Sequence, residues 1–105
     1  MTATLRMPAD RDEAKTVYDR WDRLNGRYYV KADVRLSDGR VYRNVVFDGD
    51  RYVAVEVNGR AIYDQPVLTG QQILAYVVTR DRSPGRRFPV ATPDERRTFE
   101  HSDEA

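Results

Sequence analysis

Apolar and polar positions follow two different periods along the chain. Ala14, Val17, Tyr18, Trp21 and Leu24 recur at helical spacing, with Arg11, Asp12, Lys15, Asp19, Asp22 and Arg23 on the wet faces. Asp10 and Glu13 form a capping-box pattern, and Asn25-Gly26 supplies the left-handed stop. The spacing predicts a helix from Asp10 to Leu24. From Arg27 the period drops to two: Tyr28, Val30, Ala32, Val34 and Leu36 alternate with Tyr29, Lys31, Asp33 and Arg35, the mark of a strand with one buried face.

Turn chemistry then sets the expected register. Asp38-Gly39 reads as a two-residue hairpin, placing Leu36 opposite Val41, Val34 opposite Arg43, Ala32 opposite Val45 and Val30 opposite Phe47. Arg43, the exception on this apolar face, is expected either to pair with Glu56 or to reach water at the strand end. At Asp48-Gly49-Asp50, an odd-length loop is predicted. It would bring Val53, Val55 and Val57 to the side of Val45 and Phe47, with Glu56 outside, and burying a valine contributes about 1.5–3 kcal/mol. Asn58-Gly59 is the next hairpin turn. Arg60 to Leu68 is read as a fourth strand interrupted by Pro66, and Ile73 to Thr79 as a fifth with both faces covered.

Five short antiparallel strands predict a mainly β fold, α+β by content, in which the N-terminal helix caps a small closed barrel, closure removing exposed edges. The expected organisation is a flexible leader over 1–9, the helix-and-barrel domain over 10–79, and a basic then acidic, irregular tail over 80–105. In the tail, Thr92-Pro93-Asp94-Glu95 starts a short helix over 93–100.

At 105 residues the chain holds one small core. Eighteen basic against seventeen acidic residues give a net charge of +1, so no global basic field draws a partner. Without cysteine there is no disulfide or thiolate site, and a lone histidine, His101 in the tail, allows no histidine-based triad or metal cluster. Ser37, Ser83 and Ser102 have no base at hand, and Asp38, Asp48, Asp50 and Asp64 sit at turns. The chain is therefore expected to be no enzyme and to use no metal or small-molecule cofactor. With no membrane-length apolar run and no apolar stretch after Met1, it is expected to be soluble and cytoplasmic.

The stretch Val34-Arg35-Leu36-Ser37-Asp38-Gly39-Arg40, continuing to Val46-Phe47-Asp48, resembles the first motif of the Sm-like proteins, and Val67-Leu68-Thr69-Gly70-Gln71-Gln72-Ile73 resembles the second. The resemblance covers about Asp10 to Thr79. It implies a helix leading into a five-stranded barrel that assembles in rings and binds RNA through the loops 48–52 and 69–71. The departures fall on those loops. Asp50 and Tyr52 stand where the family places a base-stacker and an asparagine. Thr69 replaces an arginine and Gln71 an asparagine or aspartate. Pro66 removes a backbone donor from the strand that pairs between subunits.

Two partner classes follow. One is a protein partner or a second copy, giving a dimer or atypical ring through an exposed edge. The net charge and Asp50 favour this class. The alternative is RNA. Candidate contacts for either are Arg51, Tyr52, Thr69, Gly70, Gln71, Arg80, Arg82, Arg86 and Arg87. Sixteen of the eighteen basic residues are arginine, and Tyr28, Tyr29, Tyr42, Tyr52, Tyr63 and Tyr76 are the available stacking rings. Against this, the arginines are balanced by acids, and a run such as Arg80 to Arg87 is ordinarily a solvated tail.

Overall fold

A computed structural model describes residues 4–63, 68–85 and 87–101. The elements are α1 (Arg11–Arg23), β1 (Val30–Leu36), β2 (Val41–Asp48), β3 (Arg51–Val57), β4 (Arg60–Ile62), β5 (Ile73–Asp81) and α2 (Pro93–His101). Each helix starts as its sequence demands. The Asp10 side chain accepts from the Glu13 N–H at 2.9 Å. Thr92 and Glu95 exchange side-chain bonds with each other's N–H at 3.2 Å.

The strands form one antiparallel sheet in the order β4-β3-β2-β1-β5. A closed barrel is not what forms: β4 and β5 remain the two edges of an open sheet. Closure is one way to hide an edge, and covering it is another. After β5 the chain crosses back over it, burying Phe88 in the core, and the Ala91 N–H takes the Val78 carbonyl at 2.7 Å. The stretch after Arg80, read as an irregular tail, is thus anchored at Ser83, Phe88 and Ala91 and again at Phe99 of α2. Residues 5–8, expected to be loose, are also tied down. Leu5 is buried, Arg6 bridges to Arg51 in parallel, and the Gly70 N–H donates to the Pro8 carbonyl at 2.9 Å. Pro66, Val67 and Asp64 lie outside the described residues, as do Arg86 and Ser102. The described part of the fourth strand ends at Ile62.

Register is set by bulges inside strands more than by loops. Val30 faces Phe47 and Ala32 faces Val45 as predicted, but Val34 faces Tyr42 and Arg35 faces Val41. The first turn therefore has three residues, Ser37 to Gly39, with Gly39 at φ 89° and its N–H on the Leu36 carbonyl. A bulge restores the register, with Asn44 at φ 56°. Its physical reason is Arg43, which a two-residue turn would leave on the core face. In the bulge it turns outward and pairs with Asp33 at 3.1 Å and Glu100 at 3.2 Å. An ion pair forms, with Asp33 and Glu100 in place of Glu56, and the Arg43 side chain still reaches water at 50% exposure. Buried Asp33 also accepts from the Asn44 N–H at 3.1 Å.

The loop after β2, by contrast, has two residues, Gly49-Asp50, not an odd number: Asp48 pairs with Arg51 and Phe47 with Tyr52, then Val46 with Ala54. The extra residue is Val53. Tyr52 and Val55 join Val45 and Phe47 on the inner face, while Val53 and Ala54 lie beneath α1 with Val17 and Val46. Val57 is 43% exposed. An odd loop was unnecessary because both faces of β3 are covered, so either side buries a valine.

Candidate functional site

The C-terminal turn of α1 organises the most featured surface of the molecule. Asn25 and Gly26 adopt φ 56° and 61°, and the Gly26 N–H donates to the Trp21 carbonyl at 3.1 Å. A Cβ on Gly26 would lie 2.7 Å from the Trp21 ring, so the indole itself requires glycine there. The stop aims Tyr28 and Tyr29 to opposite sides of the helix end. Neighbouring residues thereby divide between two hollows: Arg20, Leu24 and Tyr28 line one, and Trp21, Asn25 and Tyr29 the other.

The first hollow, about 400 Å³, is completed by the Asp48–Arg51 turn and by Pro84 and Arg87 from the loop after β5. Asp81 holds that loop in place. Its carboxylate accepts from the Ser83 N–H at 2.8 Å, from the Ser83 hydroxyl and from the Phe88 N–H at 2.9 Å. Arg20 and Arg87 have no carboxylate partner among the described residues. Arg51 stands 4.0 Å from Asp48. Asp50, the second acid of the lining beside Asp48, is paired with Arg6 at 3.7 Å, and Tyr28 is 46% exposed.

The second hollow, about 300 Å³, has Trp21 and Tyr29 for walls, and the ion pair Lys31–Glu56, 2.8 Å apart, lines it. Arg80 donates to the Tyr29 hydroxyl at 3.4 Å, and the Arg82 guanidinium lies 5.8 Å from the ring centre. Burial works to raise the Tyr29 phenol, but the hydrogen bonds and positive charges of Arg80 and Arg82 together offset it and hold the phenol below its ordinary value.

The nine sequence-predicted residues therefore separate. Arg51 and Arg87 meet at the first hollow, and Arg80 and Arg82 meet at Tyr29. Tyr52 is sealed in the core, edge-on to Phe47 at 6.4 Å, so its ring offers no face to a ligand. Gly70 is tied to Pro8. The Gln71 side chain pins the first hairpin, accepting from the Ser37 hydroxyl at 2.9 Å and the Asp38 N–H at 3.0 Å. Thr69, between Leu68 and Gly70, lines neither hollow. Arg86 lies outside the described residues.

Sequence reasoning missed Arg20, Trp21 and Leu24 as site residues, and named Tyr28 only as one of six available stacking rings. Arg20 carried no signal beyond a wet helix face. Tyr28 was assigned to the buried set of β1, but the strand begins at Val30. The available signal was Asn25-Gly26, which forces the next residues against the helix end.

Among the described residues no group of three or more His, Asp or Glu side chains could hold a metal, and no helix is long and apolar enough to cross a membrane. Comparison with family models, curated proteins and solved structures finds no match.

Proposed function

We propose that this protein binds single-stranded RNA across the end of α1. The phosphates lie on Arg20, Arg51 and Arg87, and a base stacks on Tyr28. The observation that carries the reading is the gathering of five arginines, from positions 20, 51, 80, 82 and 87, around Tyr28 and Tyr29 in a chain whose overall charge is near zero. An unpaired guanidinium beside an exposed aromatic ring suits a flexible polyanion whose bases are free to stack. The Sm-like resemblance supports the same ligand class, with the contacts moved from loop 69–71 to the helix end. Two sequence-level objections weaken. The near-neutral total conceals a local excess of cations, and Asp50 is compensated by Arg6.

Self-association is the second reading, favoured by Leu74, which is 59% exposed on the edge strand β5. It is the weaker of the two, because Ala91 already occupies that edge at Val78.

One experiment separates them: light scattering behind a sizing column, with and without a pool of short RNAs, at low and moderate salt. The RNA reading predicts a monomer whose mass rises with RNA at low salt and falls back at moderate salt. Tyr28→Ala weakens binding by about 1–3 kcal/mol. A stable dimer indifferent to RNA supports self-association, and an unshifted monomer removes both.

A further inference from the structure

The hollow on the other side of Tyr28-Tyr29 is of a different character: two aromatic walls and a donor–acceptor pair, in place of a cluster of arginines. We propose that it is a nucleobase pocket selective for guanine, occupied by the base next to the one on Tyr28. This rests on the RNA reading above.

Continuity places the pocket on the same strand. Trp21 follows Arg20 and Tyr29 follows Tyr28, so the two hollows share the helix end as a common wall, and Arg80 and Arg82 stand beside Tyr29 to carry the phosphates between them. The chemistry of the lining selects the base. Lys31 is a donor held 2.8 Å from Glu56, an acceptor, and their side chains keep 23% and 20% exposure, so both have free valences toward the hollow. Guanine alone among the four bases presents a carbonyl oxygen beside two adjacent N–H donors. The carbonyl suits the Lys31 ammonium, and the two donors suit a carboxylate that accepts in bidentate fashion. Uracil offers one donor between two carbonyls. Adenine and cytosine offer an amine beside an acceptor, which leaves the carboxylate half used. Ala61 sits in the lining, where a larger side chain would fill the space a base needs.

Trp21 is the protein's single tryptophan and reports occupancy directly. The full chain is titrated with short oligonucleotides of G-containing and G-free sequence, and separately with guanosine and uridine monophosphates. Binding is followed by anisotropy and by Trp21 emission. The expected result is quenching by the guanine-containing ligands, with an affinity preference of about tenfold over G-free ligands that Glu56→Gln abolishes. Ala61→Phe removes the quenching and the preference together. Circular dichroism is used to check that both variants are folded, and the amide oxygen introduced by Glu56→Gln can still accept from Lys31. If oligonucleotides bind but Trp21 emission and base preference are flat, the pocket is overturned and the RNA reading stands. If nothing binds at low salt, both fall.

Discussion

Gly26, Asp33 and Tyr52 show how single residues set this structure. Gly26→Ala meets both a left-handed backbone, costing about 1–2 kcal/mol, and the Trp21 ring. Urea denaturation should show at least that loss, with a shift in Trp21 emission. Asp33→Ala strips the Asn44 N–H in the β2 bulge of its acceptor, so a loss of about 1–3 kcal/mol is expected by the same method. Tyr52 has a phenol that burial pushes above its ordinary value of 10.0. Below pH 10 both folded and unfolded chains keep that proton. Above it the unfolded chain releases a proton that the core retains, so stability falls as pH rises further. Tyr52→Phe should flatten this alkaline loss in thermal melts while leaving RNA affinity unchanged. A tyrosine beside a turn looks alike in the sequence whether its ring is buried or offered to a ligand. Only the burial of its face decides, and that depends on Phe47 and on Leu5, a residue 47 positions upstream.

Among the elements, both helices and their caps, the alternation of β1 and the far half of its pairing with β2 were legible, because each rests on contacts within a few residues. Loop parity was not. The register of β2 and β3 is corrected by bulges at Asn44 and Val53, and a bulge answers to packing on both faces rather than to the turn beside it. The segment after β5 was misread for a similar reason. Its arginines suggested a solvated tail, whereas one apolar residue, Phe88, anchors it inside. Phe88→Ala should therefore cost about 3–5 kcal/mol in chemical denaturation, and it should also weaken RNA binding by releasing the loop that carries Arg87. Were Phe88 part of a loose tail, neither quantity would move.

At the scale of the whole molecule, the open sheet and the covered β5 edge direct attention away from ring assembly and toward the end of α1. Five arginines scattered over some seventy positions reach the two hollows flanking the helix end because β3 starts there and β5 and α1 end there. No linear reading assembles them, since each is unremarkable among sixteen. The local excess of positive charge is the property on which the functional account depends, and ionic strength is its direct probe. Anisotropy titrations of a short single-stranded RNA between about 50 and 200 mM salt should give a slope of log K against log salt of about −2 to −3.5, at about −0.7 per contacted phosphate. The double variant Arg20→Ala, Arg87→Ala should flatten that slope by about 1.4. An unchanged slope in the double variant, or no binding at the lowest salt, would contradict the account.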